Sequence, residues 1–171
     1  EVTFDNNTWP AAEIKGGKSN NDYNVYHKGA APIIAEQYKF YKYHYTGDGD
    51  EKKEEDMPDM DEYNKTFIEN NPDNRKSASL LANSMLFTPT EEVIASFDKF
   101  SDDVKNSAPG KKLAESIEKA KAMMPGQPAP QFTKNDKDGN SVSLSDYKGK
   151  YVLIDFWGSW CIACRQGFPN M

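Results

Sequence analysis

From about Asn20 to Met124 apolar residues recur at helical spacing. Ile34, Tyr38, Tyr41 and Tyr45 follow at intervals of four, three and four, which places them on one helix face and predicts that they pack in a core. Tyr63, Phe67 and Ile68 predict a second, short helix ending near Asn70-Asn71-Pro72, because the residue before a proline is steered out of the helical region. Leu80, Leu81, Met85 and Leu86 mark another amphipathic segment over 77–87. Thr88-Pro89-Thr90-Glu91 reads as a capping box: the Thr88 hydroxyl accepts from the Glu91 amide, the Glu91 carboxylate accepts from the Thr88 amide, and Pro89 takes the first helical position. Val93, Ile94, Phe97 and Phe100 then face inward. Pro109-Gly110 is expected to break the chain before a last stripe of Leu113, Ile117, Ala120 and Met124.

The period changes at Pro125-Gly126-Gln127-Pro128-Ala129-Pro130, where three prolines and a glycine in six residues cannot continue a helix. Beyond it Gln131-Phe132-Thr133 and Ser141-Val142-Ser143-Leu144 alternate as strands do, with Asp138-Gly139 between them as a tight hairpin turn. A further turn at Asp146–Lys150 leads into Tyr151-Val152-Leu153-Ile154-Asp155-Phe156-Trp157, apolar at nearly every position, the pattern of a central strand covered on both faces. A helix is expected to begin near Cys161. At the other end, Ala12-Glu13-Ile14-Lys15 is strand-like and breaks at Gly16-Gly17. The division is therefore 1–19, the end of an upstream β segment; 20–124, a helical extension; and 125–171, the start of a second domain. No internal repeat is visible.

Composition narrows the function classes. The 171 residues carry 21 − 27 = −6 net charge, which argues against a nucleic-acid binder and against a polybasic membrane-surface protein. No apolar run reaches the roughly 18 residues of a spanning helix. Aromatic residues, at 12%, are too frequent for a disordered chain. Asp48 to Glu62 holds nine acidic residues and two lysines, read as a solvated loop without the ligand spacing of a cation site. Asp136-Lys137-Asp138-Gly139-Asn140 looks like a calcium loop, but Lys134 and Ser145 would fall at its first and twelfth ligand positions, so that reading fails. His27 and His44 lack partners at metal-ligand spacing and read as surface or half-buried histidines. The chain opens Glu1-Val2-Thr3-Phe4, with neither Met nor signal peptide, and stops at Met171 soon after a motif that belongs early in a domain; sequence is expected to be lacking at both ends.

Cys161 and Cys164 are the only cysteines. Their C-x-x-C spacing is open to three meanings: half of a zinc site, a structural disulfide, or a redox pair. Zinc needs two more ligands that the chain does not offer nearby, and a bridge over so small a loop restrains the unfolded chain little. The redox reading has a mechanism. The first thiol would stand at a helix N-terminus, where free N–H groups and the dipole favour thiolate, and Cys164 follows within reach on the same face. Cys161 attacks a substrate disulfide and Cys164 resolves the mixed disulfide. Trp157 and Trp160 either shield this pair or serve as plain core aromatics. No cofactor or metal is called for.

From Gly126 to Met171 the chain resembles thioredoxin-like thiol–disulfide oxidoreductases of the TlpA/ResA type, within the AhpC/TSA redoxin superfamily. The residues that carry this are G-Q-P-A-P-Q-F, D-G-N-S-V-S-L-S-D-Y-K-G-K-Y-V-L-I-D-F-W, W-C-I-A-C-R and Pro169. The preceding helical region, with T-P-T-E-E-V, resembles more loosely the N-terminal extension of envelope members in Bacteroidetes. The resemblance implies an α/β thioredoxin-like fold, incomplete here for want of its C-terminal part, preceded by a mainly α-helical domain. It implies a periplasmic or cell-envelope enzyme with Cys161 as nucleophile, Cys164 as resolving thiol and Pro169 as the proline that bends the active-site helix. Its partners would be a disulfide-bearing protein substrate and an upstream thiol donor, with no nucleic acid and with membrane contact only through a lipid anchor outside this sequence. Two positions depart from the family: Ala163 replaces the usual proline before the second cysteine, and Gly167 replaces a glutamate that relays protons. The 46 residues from Gly126 are about half of a complete domain of this kind.

Two other classes compete. An AhpC/TSA-type thiol peroxidase shares the opening of this segment but sets its cysteine after a proline absent from Phe156-Trp157-Gly158-Ser159-Trp160. A non-catalytic binding module with a vestigial thioredoxin-like part is favoured by Ala163 and Gly167.

Overall fold

The computed structural model describes residues 14–49, 51 and 53–167. The chain divides into two compact units, Glu1–Gln127 and Pro128–Met171.

The first unit is helical. Helix α1 (Gly17–Thr46) ends at Gly47, whose left-handed φ of 69° lets its N–H return to the Tyr43 carbonyl at 2.8 Å. Ile14 and Lys15 form no strand; the Asn24 side chain instead pairs with both backbone groups of Ile14. Ala12 and Glu13 lie outside the described residues. The acidic run leads through a short 3-10 turn at Glu54–Asp56 into α2 (Met60–Asn70). There Asp59 caps the helix, its carboxylate accepting from the Asp61 and Glu62 amides, so part of the run neutralises a helix N-terminus. The unit continues with α3 (Arg75–Ser84), α4 (Thr90–Asp98), α5 (Asp102–Asn106) and α6 (Ala108–Lys121).

Helix α6 lies against α3, α4 and α5, and α1 lies against α2 and α3. Leu113, Val93 and Val104 are fully buried at the centre, with Ala30, Ala78, Leu81, Phe100 and Ile117 around them. Each such aliphatic side chain contributes about 1.5–3 kcal/mol by leaving water. Polar groups fix the crossings. The Asp22 carboxylate accepts the Arg75 N–H at 3.1 Å and Lys18 Nζ at 3.2 Å. Arg75 grips Asp103 through two nitrogens, at 3.0 and 2.8 Å, and that contact holds the Asp103 carboxyl below the usual carboxylate range.

Several sequence expectations change. Ile34 packs against the core, but Tyr38, Tyr41 and Tyr45 are exposed. The half of α1 that carries them extends past the neighbours that cover its first half at Tyr26 and Ala30. Periodicity identified the face but could not reveal where its partners stop. The capping box at 88–91 does not form: Pro89 is the N-cap, and the Thr88 amide is given to the Ser84 carbonyl at 3.0 Å, so it cannot serve Glu91. Pro109-Gly110 does not break the chain. Ser107 separates α5 from α6, while Pro109 and Gly110 lie in the first turn of α6. His27 is buried and stacks on Tyr23 at 5.2 Å between ring centres.

The second unit holds one antiparallel hairpin, β1 (Thr133–Asn135) with β2 (Ser141–Ser143), followed by a 3-10 turn at Leu144–Tyr147 and by α7 (Ile162–Gly167). Residues 151–157 form no strand, which corrects the expected central one. Leu153 is 81% and Phe156 89% exposed. A strand exists only through hydrogen bonds to a neighbour, and the sheet among the described residues has just two strands, β1 and β2.

Candidate functional site

The approach to the cysteines is set by local hydrogen bonds. Asn135 pairs with Ser141, and the Asp136 N–H donates to the Asn140 carbonyl at 2.8 Å, leaving a three-residue loop. Gly139, at φ 86°, supplies the left-handed position that such a loop requires. The expected hairpin is thus shifted by two residues on its first strand, and its turn is longer than the expected two-residue form. The reason is Asp136, whose carboxylate accepts from the Asp138 N–H at 2.9 Å and from the Asn140 N–H and Nδ2 at 2.8 and 3.1 Å.

Those bonds, first the one from the Asn140 side chain and then that from its N–H, hold the Asp136 carboxyl below the ordinary carboxylate range. A depressed carboxyl favours the folded loop at neutral pH, where it is ionised in both states. The advantage fades only as pH falls through the lowered folded value. Amide NMR shifts of Asp138 and Asn140 should therefore hold their neutral-pH positions down to about pH 4, the value of a free aspartate, and move below it. A midpoint at or above pH 4 would refute this.

After β2, Asp146 accepts the Ser143 N–H at 2.8 Å and ties down the turn. The irregular, exposed stretch 151–157 then delivers Gly158. The Cys161 N–H donates to the Gly158 carbonyl at 2.9 Å, closing a turn that carries Trp160. A side chain on Gly158 would sit 2.8 Å from the Trp160 indole, so only glycine lets that ring fold back over the turn. Helix α7 starts immediately after Cys161. Cys161 is joined to Cys164 by a disulfide, with Cα atoms 5.3 Å apart. Sulfur also caps the helix: the Cys164 N–H donates to Cys161 Sγ at 3.2 Å, and the Arg165 N–H donates to the Cys161 carbonyl at 3.2 Å.

Both cysteines are half-buried, while Trp160 and Ile162 are 85% and 71% exposed and Trp157 is more than half exposed. Cys161, Cys164 and Trp160 are thus brought together in one turn and helix start. Trp157 precedes that turn, and Pro169 lies outside the described residues. Gly158 escaped the sequence reading, although a glycine two residues before a tryptophan was the available signal. Among the described residues no group of three or more His, Cys, Asp or Glu side chains is placed to hold a metal ion, and no helix is long and apolar enough to cross a membrane.

Residues 125–171 match the family model described as AhpC/TSA family. The thiol-disulfide oxidoreductase ResA of Bacillus subtilis is 48% identical over 46 residues, 27% of this chain and 26% of that protein. The thioredoxin-like protein YneN of the same organism is 50% identical over 46 residues, 27% of each. ResA of Bacillus thuringiensis subsp. konkukian is 42% identical over 53 residues, 31% of each. The chain thus spans between a quarter and a third of the length of these curated relatives. No solved structure gives a significant match.

Proposed function

We propose, taking as premise that residues 125–171 are a thioredoxin-like segment of the TlpA/ResA type, that the protein is a thiol–disulfide oxidoreductase working through Cys161 and Cys164. The observation that carries the reading is the closed Cys161–Cys164 bridge, capped by the first turn of α7, within a segment so similar to an oxidoreductase.

In the dithiol form, Cys161 is the nucleophile. The N–H of Cys164, which meets Cys161 Sγ in the disulfide form, is aimed where a thiolate would sit. The thiolate attacks one sulfur of a substrate disulfide, forming a mixed disulfide and expelling the other substrate sulfur as a thiolate that takes up a proton. Cys164, deprotonated, then attacks Cys161 Sγ. The second substrate thiol leaves, and the pair holds the two electrons' worth of oxidation as its own disulfide. A donor dithiol restores the starting state by the same exchange in reverse. Gly167 offers no carboxylate near the helix end, so the Cys164 proton passes to water.

The finer assignments belong to the same proposal. The fold is an α/β thioredoxin-like domain behind a helical extension, divided as 1–19, 20–124 and 125–171; the two compact units support a boundary near Gln127. Trp157, Trp160 and Pro169 support the pair. The substrate is a protein disulfide, which suits a half-buried pair flanked by exposed Trp160 and Ile162, and a separate thiol donor recharges it. The location is the periplasm or cell envelope, where disulfides persist. The test is single-turnover: the whole protein, carrying the dithiol pair, is mixed with a disulfide peptide, and alkylation followed by mass measurement counts thiols on both. Two thiols should pass from protein to peptide. A peptide left oxidised would overturn the proposal, and consumption of peroxide in place of disulfide would favour the peroxidase reading.

A further inference from the structure

We infer that Arg165 selects among the substrates of this pair, favouring disulfides flanked by a carboxylate. The inference rests on the exchange chemistry proposed above and names the substrate class it serves. Arg165 lies one helical turn after Cys161, and its N–H is bonded to the Cys161 carbonyl, which fixes the two residues to one side of α7. From Phe156 to Met171 it is the only charged residue. Its side chain is exposed, and among the described residues its guanidinium has no hydrogen-bond or ion-pair partner, in contrast to Arg75, which is held by Asp103. Around it the exposed side chains are uncharged: apolar Trp160 and Ile162, with Ser159, Ala163 and Gln166. An incoming chain therefore meets uncharged side chains and, one turn from the attacking sulfur, a cation without a partner among the described residues. A guanidinium fork recognises a carboxylate through two parallel hydrogen bonds. An acidic residue beside the substrate cysteine is drawn in, and a basic one is repelled.

The experiment measures the exchange rate of the reduced chain with three small disulfides of different charge: dithiodiglycolate, which is dianionic; 2-hydroxyethyl disulfide, which is neutral; and cystamine, which is dicationic. Ratios of wild type to variant cancel the intrinsic reactivity of each probe. Arg165→Gln should slow the dianion about fivefold, leave the neutral probe unchanged and speed the dication; Arg165→Lys should keep most of the wild-type order; and Arg165→Glu should reverse it. Added salt should compress the wild-type order. An equal loss with all three probes in Arg165→Gln would overturn the inference, because it would mean that Arg165 acts only on the thiolate. Unchanged ratios would overturn it too. Failure of the neutral probe to convert the wild-type dithiol into its internal disulfide would overturn the exchange reading itself, and this inference with it.

Discussion

Cys161→Ser should lower the rate of disulfide exchange by at least about 1000-fold, while Cys164→Ser should leave the first attack intact and stop the reaction at the mixed disulfide. The asymmetry follows from the place of each sulfur. Cys161 caps α7, so the Cys164 N–H points at it. Cys164 sits one turn inside the helix and has Cys161 as its neighbour. Serine at 161 can accept the same N–H, so α7 should persist and the loss should be chemical. Serine at 164 removes the only intramolecular route for releasing the substrate, and a covalent adduct should accumulate. Mass measurement of the quenched mixture reads both outcomes. Adduct forming on Cys164 in the Cys161→Ser protein at the wild-type rate would reverse the assignment of roles.

The second large effect lies in the helical unit. Gly110→Ala should destabilise it by about 3 kcal/mol, read as a lower urea midpoint with an unchanged slope. The sign runs against propensity, which favours alanine over glycine inside a helix by about 1 kcal/mol. Here the added methyl would lie 2.7 Å from the Lys105 carbonyl oxygen and nearer still to that of Val104. Both belong to backbone, which cannot rotate aside. Ser107 pins the same corner, its hydroxyl donating to the Val104 carbonyl at 2.6 Å and accepting the Gly110 N–H at 3.2 Å. Relief requires α5 and α6 to part, which would loosen Val104 and Leu113, both fully buried. A midpoint equal to or above that of the wild type would contradict this packing.

Helices were legible in the sequence because each satisfies its own backbone. The spacing of Phe67 and Ile68, or of Leu113 and Ile117, predicts a buried face that α2 and α6 do bury. The errors fall where a distant partner decides. Tyr38, Tyr41 and Tyr45 share a face with Ile34, yet no neighbour among the described residues covers them. The glycine at 110 looked like punctuation, but it marks close approach to α5. Thr88 has the chemistry of a cap, and its amide was already committed to α3. The stretch 151–157 is the sharpest case: its apolar run is the composition of a buried strand, and a strand cannot form without another beside it. At the candidate site, the spacing of the cysteines and the helix start near Cys161 were readable because both are local. The packing of Trp160 against Gly158 was not read, since it depends on how the turn folds back.

The most direct measurement of the central claim is an equilibrium redox titration of Cys161 and Cys164. The chain is held in thiol–disulfide buffers of graded potential, quenched in acid, and its thiols are counted. The account predicts one reversible transition in which both thiols close together within one molecule, with a tenfold change per ~30 mV and a midpoint between about −120 and −270 mV, the span of catalytic dithiols. A bridge that stays closed below about −300 mV, or that forms only between molecules, would contradict it.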